Sequence, residues 1–366
     1  MRVLYDYQAF GAQRAGGVSR YFVELMQEWE SVSGIEAELI APLSVNTHLK
    51  EAYAREVRTL QGIHVPAGWG PSSVLSLMNR AFFSVNTLGQ AWDIYHPTYY
   101  NCLWPSPRAR RKVVTVFDMT HELFPSLFHK TDPTIQRKRT MVESADGVIC
   151  ISDSTRRDLL ALTEVSPSKT TIIPLATRIL QIPPAPFRFR RPYWLFVGAR
   201  GGYKDFSVLL EAVATTPELR NETDIVCFGG GSFSPAEQRN LVRFGMRDRV
   251  HQVAGQDALL RGAYENAIAL VYPSRHEGFG LPPLEAMTVG CPTITVNGSS
   301  LPEVVGDGGV QIPVGDIGAL IVAMERLLCD SRHRWAVQEA GRTRARRFSW
   351  AETALQTQAF YQKVLA

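Results

Sequence analysis

Short apolar runs alternate with amphipathic segments along the 366 residues of the chain. A run of four to six β-branched or apolar residues predicts a buried strand, and apolar residues recurring every three or four positions predict a helix packed on one side. The predicted strands are Arg2–Tyr5, Glu38–Ile40, Ile94–His96, Val113–Phe117, Val148–Ile151, Thr171–Ile173, Trp194–Val197, Asp224–Phe228, Val250–Val253, Ala269–Tyr272, Thr293–Val296 and Gly309–Ile312. The predicted helices are Val18–Glu30, Ile135–Ser144, Ser154–Leu162, Phe206–Ala214, Ser234–Phe244, Asp257–Asn266, Leu284–Val289 and Ile317–Cys329. The alternation favours an α/β fold with parallel sheets wrapped by helices.

The pattern appears twice, and the proline-rich segment Gln181–Pro192, QIPPAPFRFRRP, separates the halves. Its four prolines are incompatible with a helix or a central strand. We therefore predict two doubly wound domains facing a cleft, at residues 1–182 and 193–348, joined by a linker at 183–192. A last amphipathic helix occupies residues 349–366.

Composition narrows the function classes. The net charge of +4 suits an anionic ligand, but no long basic stripe with interleaved aromatic residues indicates nucleic acid. The five cysteines are dispersed without a CxxC pair, which favours reduced thiols over disulfides or zinc. The N-terminus lacks the apolar region of a signal peptide, and no apolar run approaches the ~20 residues of a membrane-spanning helix. We expect a cytoplasmic protein whose membrane contact, if any, is peripheral.

Three glycine-rich turns lie next to predicted strands or helices. Gly16 and Gly17 precede a helix, Gly198 follows the strand that ends at Val197, and Gly230 follows the strand that ends at Phe228. Such turns allow close approach of a phosphate to backbone amides, although each alone is usually only a turn.

Two cations accompany the second of these turns. Arg200 and Lys204 flank Gly201-Gly202-Tyr203. They suit a diphosphate, or form an ordinary solvated basic loop. The chain contains no Asp-x-Asp pair for Mg²⁺, so we expect no metal and assign charge neutralisation to these two cations.

Two carboxylates bracket a predicted helix start in SRHEGFGLPPLEAM. Glu277 follows the strand that ends at Tyr272, and Glu285 is expected in the first turn of the helix. The segment Gly278–Leu281 between them offers free amides to an anion. Because a carboxylate accepts hydrogen bonds from two hydroxyls, the pair predicts a sugar, a diphosphate and a ribose in a row. The alternatives are an exposed loop charge and a glutamate that stabilises the helix dipole.

The chain resembles the retaining GT-B glycosyltransferases of family GT4. The resemblance is carried by PSRHEGFGLPPLEAMTVGCPTITVNGSSLPEVVGDGG with its E-x7-E element, by LFVGARGGYKDFSVLLEAV, by GGVSRYFVEL, VVTVFDMTHELFP and ADGVICISDSTRRDLL, and by FSWAETALQTQAFYQKVL. It implies two Rossmann-like domains, a C-terminal helix that crosses back to the first domain, and a variant found among mannosyl- and rhamnosyltransferases of bacterial surface polysaccharides.

The resemblance also implies residue roles. The implied catalytic residues are Arg200, Lys204 and Glu277; the donor-binding residues are Gly16, Gly17, Gly198, Gly230, Val253, Gly278, Phe279, Gly280, Leu281 and Glu285; the acceptor-binding residues are Asp118, His121 and Glu122. Many members of the family have a histidine where this chain has Phe117. His121 follows closely, and a purely structural loop histidine is the alternative reading of it.

The expected activity is metal-independent transfer of a hexose from a nucleotide sugar, with GDP-mannose as the best candidate, to a glycan or lipid-diphosphate-glycan acceptor. No residue is evident as a nucleophile for double displacement, so front-face substitution is favoured. The alternatives are a nucleotide-sugar epimerase and a non-catalytic sugar-nucleotide-binding subunit. A phosphorylase is disfavoured, because the sequence has no signature of the lysine that binds its cofactor. The basic clusters Arg108–Lys112 and Arg342–Arg347 suit either anionic lipid at the inner membrane or solvent.

Overall fold

The chain forms two compact units. The computed structural model describes residues 1–12, 14, 16–54, 60–66, 72–102 and 106–366. The first unit comprises Met1–Leu175 together with Trp350–Ala366, and the second comprises Ala176–Ser349. The C-terminal segment therefore packs with the N-terminal unit.

The proline-rich segment differs from the predicted linker. It belongs to the second unit, because Phe187 is buried in the core of that unit and the Ala185 amide donates to the Ala258 carbonyl at 2.8 Å. Arg261 of the same unit donates to the Ile182 carbonyl at 2.6 Å. The segment is thus anchored by packing, even though its prolines prevent regular secondary structure.

Each unit is built on a parallel sheet. The strands are β1 Arg2–Tyr5, β2 Glu36–Ser44, β3 Leu60–His64, β4 Trp92–His96, β5 Ala109–Val116, β6 Gly147–Cys150, β7 Thr170–Ile172, β8 Tyr193–Val197, β9 Asp224–Phe228, β10 Val250–Val253, β11 Ala269–Tyr272, β12 Thr293–Val296 and β13 Val310–Ile312. Within the described residues, the first sheet has the order β3-β2-β1-β4-β5-β6-β7 and the second β10-β9-β8-β11-β12-β13. Every pairing is parallel.

Helices connect the strands. They are α1 Gln8–Ala12, α2 Gly17–Trp29, α3 Thr47–Ala54, α4 Ser72–Thr87, α5 Thr120–Leu123, α6 Thr134–Glu143, α7 Asp153–Leu162, α8 Phe206–Thr215, α9 Pro217–Glu222, α10 Pro235–Arg243, α11 Asp257–Asn266, α12 Leu281–Val289, α13 Leu301–Val305, α14 Ile317–Cys329, α15 Ser331–Ala345 and α16 Trp350–Leu365. Both faces of the central strands are covered; all five residues of β8, YWLFV, are buried. This burial explains why the strands appear as continuous apolar runs rather than alternating ones.

A buried polar network fixes α16 on the first sheet. The Tyr361 hydroxyl lies 2.6 Å from Nδ1 of His96 and 2.9 Å from the Tyr5 hydroxyl. The other ring nitrogen of His96, Nε2, lies 2.9 Å from Oγ1 of Thr115. Residues from β1, β4, β5 and α16 thus satisfy one another's polar atoms in a site without solvent access, which makes the position of α16 specific.

No helix among the described residues has the length and apolar content to cross a membrane.

Because His96 is buried, we expect the free energy of unfolding to depend on pH. Burial lowers the pKa of His96 to about 3, so the folded protein holds this imidazole neutral, whereas the unfolded chain protonates it near its ordinary value of 6.5. As the pH falls below 6.5, the unfolded state binds the extra proton and the free energy of unfolding decreases by up to ~1.4 kcal/mol per pH unit for this group. Urea unfolding measured between pH 5 and 7 tests this.

The His96→Gln variant is the matched control for that series. It should be less stable at pH 7 but should show a shallower decrease towards pH 5, because it has no imidazole to protonate. An equally steep decrease in both proteins would show that other groups cause the acid sensitivity.

Candidate functional site

The second sheet has a topological switch point between β8 and β11. The chain runs outward from β8 through β9 to β10 and then returns to the other side of β8 with β11. Loops that leave the carboxyl ends of β8 and β11 therefore diverge and leave a crevice, which is where open α/β sheets bind ligands. Lys204 lies on the first of these loops and Glu277 on the second.

The two loops are joined by backbone contacts. The Tyr203 carbonyl accepts from the Arg275 amide at 2.8 Å and from the Ser274 hydroxyl at 3.4 Å. Ser274 is fully buried, and its hydroxyl also reaches the His276 carbonyl at 3.0 Å. This arrangement fixes the turn that carries Lys204 against the loop that carries Glu277.

Lys204 and Glu277 form an ion pair at this point. Nζ of Lys204 lies 2.5 Å from Oε1 of Glu277 and donates to the Tyr272 hydroxyl at 2.9 Å. Burial, followed by the charge of Glu277, raises the pKa of Tyr272 well above its ordinary value, so the phenol remains protonated. Two of the three ammonium protons are engaged, and one remains for an anionic ligand.

The loop around Glu277 is held from behind by two serines. The Glu277 amide donates to Oγ of Ser299 at 2.8 Å. The buried Ser300 hydroxyl reaches the carbonyls of Glu277 and Phe279 at 2.9 and 2.8 Å. These contacts hold the backbone of Gly278 in place and orient the Glu277 carboxylate.

Glu285 lies deeper than expected. Helix α12 begins at Leu281, so Glu285 is its fifth residue and lies beyond the first turn, contrary to the sequence prediction. It is buried, and its Oε2 accepts from the Tyr264 hydroxyl at 3.1 Å. Gly280 begins the helix with φ 108°, a conformation that strongly favours glycine. In the first turn of α12, Pro282 and Pro283 have no N–H and the Leu284 amide donates to the Gly280 carbonyl at 3.3 Å, so Leu281 supplies the amide at this edge of the sheet.

The side chains of Arg200 and Lys204 have different partners, although the two residues lie on the same loop. Nε of Arg200 donates to Oε1 of Glu237 at 2.7 Å, and its two Nη atoms donate to the carbonyls of Gly229, Gly230, Gly231 and Ser232. The side chain is only 2% exposed. This contradicts the prediction that Arg200 presents its guanidinium to a diphosphate, because the group is buried and already binds protein acceptors. It is a positioning residue for the glycine turn.

That turn packs against the loop after β8. A Cβ at Gly230 would lie 2.5 Å from the Gly198 carbonyl and 2.8 Å from Nη1 of Arg200, so only glycine fits. The Gly229 amide donates to the carbonyl of Val253, the last residue of β10, at 2.8 Å. Gly198, Gly230 and Val253 thus share the carboxyl edge of the sheet, as the sequence motifs predict.

The acceptor candidates follow β5 in the first unit. Oδ1 of Asp118 accepts from the Thr120 amide at 2.9 Å, which starts the short helix α5. His121 stacks on Phe128 with ring centroids 3.8 Å apart, and its Nε2 lies 3.8 Å from Asp132. These two residues lie next to each other at one edge of the first sheet.

Glu122 has a different role from the predicted one. Its Oε2 lies 2.9 Å from Nζ of Lys138, which is 2% exposed and also donates to the Asp118 carbonyl at 2.9 Å. A carboxylate that compensates a buried ammonium is poorly placed to bind an acceptor, since separating the two leaves a buried charge unpaired. Glu122 and Lys138 therefore position the Asp118 loop.

The switch point of the first sheet, between β1 and β4, is closed by its own side chains. Asp6 is fully buried and accepts from the Tyr95 hydroxyl at 2.6 Å, the Thr98 hydroxyl at 2.7 Å and Nε2 of Gln8 at 2.7 Å. Burial outweighs these hydrogen bonds and raises the pKa of Asp6. This network joins the segment after β1 to the end of β4 and the loop that follows it.

Gly16 and Gly17 form the start of α2. Gly16 is the N-cap, and its carbonyl accepts from the Ser19 hydroxyl at 3.0 Å. Phe117 packs edge-on against Tyr21 of α2 at 5.3 Å, so the position of the family histidine is occupied by a packing residue. A diphosphate contact by the two glycines remains a prediction.

Several residues of the site were not identified from the sequence. They are Tyr264, Tyr272, Ser299, Ser300, Glu237 and Lys138. Tyr272 was recognisable in principle as a polar group at the very end of an apolar strand, and Glu237 as the third residue of a capping box that starts at Ser234. The others carry no local signal, because each acts on a residue distant in sequence.

Two family models together match most of the chain. Residues 181–344 match the model described as glycosyl transferases group 1, and residues 15–177 match glycosyltransferase family 4. The O-antigen chain mannosyltransferase B of Escherichia coli is 29% identical over 305 residues, which cover 77% of this chain and 79% of the relative. The MMP alpha-(1->4)-mannosyltransferase of Mycolicibacterium hassiacum is 30% identical, over 63% of this chain and 57% of the relative.

Solved structures share the fold at low identity. HepE of Anabaena in complex with UDP-glucose superimposes with a TM-score of 0.77 at 16% identity, covering 99% of this chain and 100% of that one. Sucrose-phosphate synthase of Thermosynechococcus elongatus gives 0.75 at 20% identity, covering 99% and 98%. The two doubly wound units and the matched family models agree: the chain belongs to the group 1, family 4 glycosyltransferases, has their GT-B fold, and is a glycosyltransferase.

Proposed function

We propose that the protein is a retaining glycosyltransferase that moves a hexose, with mannose from GDP-mannose as the first candidate, onto a glycan or lipid-diphosphate-glycan acceptor in the synthesis of a surface polysaccharide. The observation that carries the proposal is the Lys204–Glu277 ion pair at the switch point of the second sheet. The names of the E. coli and Mycolicibacterium relatives support mannose as the transferred sugar.

The donor is proposed to bind along the carboxyl edge of the second sheet. Its diphosphate lies beside Lys204 and the first turn of α12, where the Leu281 amide and the helix dipole favour an anion. Glu277 binds hydroxyls of the sugar, and Glu285 binds those of the ribose. Gly198, where a Cβ would have no neighbour within 4 Å, leaves room for backbone contact with the donor, Gly230 lies next to it, and Val253 borders the base.

The burial of Glu285 sets a condition on this assignment. Its Oε2 accepts from the Tyr264 hydroxyl, so the ribose hydroxyls must approach a buried carboxylate that is already hydrogen-bonded within the protein. The protonated Tyr264, whose pKa is raised well above its ordinary value by burial and then by Glu285, keeps the glutamate in one orientation. We infer that Tyr264 orients Glu285 and does not itself contact the donor.

The proposed reaction is a front-face substitution. The bond between the anomeric carbon and the diphosphate oxygen breaks, and the acceptor hydroxyl oxygen bonds to the same face of that carbon. The acceptor proton passes to the departing diphosphate, whose growing charge Lys204 stabilises. This scheme includes no metal and assigns the charge compensation to the ammonium of Lys204 and to the Leu281 amide at the start of α12.

On the acceptor side, Asp118 and His121 are proposed to orient the attacking hydroxyl. Asp118 lies on the loop after β5, and His121 lies in the short helix α5 that follows. Nζ of Lys138 donates to the Asp118 carbonyl and so holds the loop in place. Glu122 is assigned to the support of this loop.

Removal of the Lys204 ammonium should reduce turnover more than binding. For Lys204→Ala we expect kcat to decrease about 100- to 1,000-fold, because the charge on the leaving diphosphate grows in the transition state, while the Kd of the nucleotide changes less than about tenfold. Steady-state kinetics and calorimetry with the nucleotide measure the two effects.

Arg239→Ala, which removes an exposed cation of α10, is the control and should leave both constants unchanged. Turnover of Lys204→Ala within a few-fold of the parent would refute the assignment. The double variant with Glu277→Gln should show strong non-additivity, since the two groups are in contact.

Replacement of Arg200 should affect donor binding rather than the chemical step. Arg200→Lys loses the contacts to the carbonyls of the 229–232 turn, so the turn is less well ordered before the donor arrives. We expect the donor KM to rise about 10- to 100-fold, with kcat changed about threefold or less. Arg188→Lys, at an exposed arginine of the same unit, should change neither.

A role of Arg200 in overall stability alone would give a different result. In that case the folded fraction would decrease, but the KM of the remaining folded enzyme would equal that of the parent. Kinetics normalised to active-site concentration separate the two cases.

The donor itself is identified by a thermal-shift screen of GDP-, UDP- and dTDP-sugars followed by NMR of the product. The tightest ligand should raise Tm most, by mass action. GDP-mannose with an α-linked product is expected. Turnover of the donor without acceptor would indicate an epimerase, and an inverted linkage would exclude the front-face mechanism.

A further inference from the structure

Arg275 contacts both neighbours of Lys204 in the chain. Its backbone amide donates to the Tyr203 carbonyl at 2.8 Å, and its Nε donates to Oδ2 of Asp205 at 2.7 Å. Arg275 lies on the loop after β11, whereas Tyr203 and Asp205 lie between β8 and α8. One residue therefore ties the position before Lys204 and the position after it to the loop that carries Glu277.

Asp205 has a backbone conformation that few residues adopt. Its φ of 54° and ψ of 39° are left-handed, and its side chain is only 7% exposed. Among the described residues other than glycine, a positive φ occurs at Asp205 and Ser299. The Ser299 hydroxyl accepts from the Glu277 amide at 2.8 Å. One of these two positions thus follows Lys204 and the other supports Glu277, and such conformations persist where the surrounding contacts impose them.

The carboxylate of Asp205 does not cap its own helix. Asp205 is the N-cap of α8, but its side chain accepts no hydrogen bond from the first amides of that helix. It accepts from Nε of Arg275 and from the Ser207 hydroxyl, the latter at 3.2 Å. The usual reason for an aspartate at this position, satisfaction of the helix amides, therefore does not apply. Arg275 is the cation that compensates this nearly buried charge.

Contacts on both sides of Lys204 fix its direction more tightly than one contact would. The bond to the Tyr203 carbonyl alone would leave the chain free to rotate at Lys204. The second contact, at Asp205, also fixes the backbone after Lys204, so that its Cα–Cβ bond has one orientation. Without Arg275, the Asp205 carboxylate would be nearly buried and unpaired, and the turn would have to rearrange to expose it.

We propose that Arg275 is a positioning residue for Lys204, and that its ion pair with Asp205 sets the place of the ammonium beside the leaving diphosphate. This inference rests on the proposed function, in which Lys204 stabilises the charge on that group. Because the guanidinium of Arg200 is buried and bonded to protein acceptors, the placement of Lys204 decides how well the charge is compensated. A displacement of about 1 Å at such a group can decrease the rate about 100-fold.

Direct contact of Arg275 with the donor is the alternative. The side chain is 56% exposed, so a ligand has access to it. The two roles differ in their need for Asp205. A positioning role requires both members of the ion pair, whereas a direct contact depends on the guanidinium alone.

Kinetics of two single variants and of the double variant test the proposal. Arg275→Gln removes the cation, and Asp205→Asn removes the charge but keeps a residue type that tolerates the left-handed conformation. With GDP-mannose as donor, each should lower kcat about tenfold to 100-fold, while the Kd of GDP changes about threefold or less. The double variant should be no slower than the single variants, because the two residues act as a unit.

Arg157→Gln is the matched control. It breaks an ion pair of similar geometry in the first unit, in which Nε of Arg157 lies 3.0 Å from Oδ2 of Asp153. It should leave kcat and the Kd of GDP unchanged.

The Lys204→Ala background shows whether Arg275 acts through Lys204. There, Arg275→Gln should cause no further decrease of kcat, since the group that it positions is absent. A further decrease as large as in the wild type would overturn the proposal. Normal turnover of Asp205→Asn beside a slow Arg275→Gln would assign Arg275 to direct contact with the donor. A lower Tm with unchanged kcat per active site would reduce the pair to a stabilising contact.

Labelling of the Lys204 amine tests its position without any sugar transfer. Limited acylation with acetic anhydride, followed by mass spectrometry, gives the reactivity of Lys204 relative to Lys363, which is exposed on α16. Lys204 should react at least about threefold faster in Arg275→Gln and Asp205→Asn than in the wild type, because separation from Glu277 favours the neutral, nucleophilic amine. Equal reactivity in all three proteins would overturn the proposal. If the reactivity rises as expected but Lys204→Ala retains turnover, the proposed function fails and the positioning of Lys204 by Arg275 stands.

Discussion

The ion pair between Lys204 and Glu277 joins two loops whose residues lie 73 positions apart in the chain. It exists because β8 and β11 are neighbours at the switch point, so that the loops after them meet at one edge of the sheet. The buried Ser274 and Ser300, together with the half-buried Ser299, hold the backbone on either side of it. We propose that the ammonium and the start of α12, at the same edge of the sheet, bind a diphosphate. The other donor contacts that we propose are arranged around this ion pair.

Arg200 and Lys204 illustrate how two cations on one loop come to have different roles. The planar guanidinium has five donors, which suit the four carbonyls of the 229–232 turn and the Glu237 carboxylate at once. The ammonium is a compact charge on a flexible stem and suits a ligand that changes its charge during the reaction. Arg200 therefore shapes the site from inside the protein, and Lys204 is the residue that we propose to act on the substrate.

The first unit combines a rigid sheet edge with an apolar outer helix. Asp6 and its partners close the switch point, and Lys138 supports the loop that carries Asp118 and His121. Helix α4 is fixed by Asn79 and Phe83 on its inner side.

The sequence by itself determined the fold class and the region of the donor site. Parallel strands buried on both faces are continuous apolar runs, so most strands and the amphipathic helices between them were located within a few residues. The E-x7-E element marked the loop after β11 and the start of α12, because Gly280 and the two prolines act locally. Elements without a one-sided pattern were missed: α15 is largely polar, α4 carries apolar side chains on both its buried and its exposed face, and β3 is an edge strand.

Only the tertiary structure decided which side chains share the site. Local sequence placed Arg200 beside Lys204, but burial and the carbonyls of a turn some thirty residues away drew its guanidinium inward. Glu122 likewise forms an ion pair with the buried Lys138. Glu285 lies in the second turn of α12, where it accepts a hydrogen bond from the Tyr264 hydroxyl. These outcomes depend on which distant group satisfies each buried charge, and that choice is made by the packing of the whole unit rather than by neighbours in the chain.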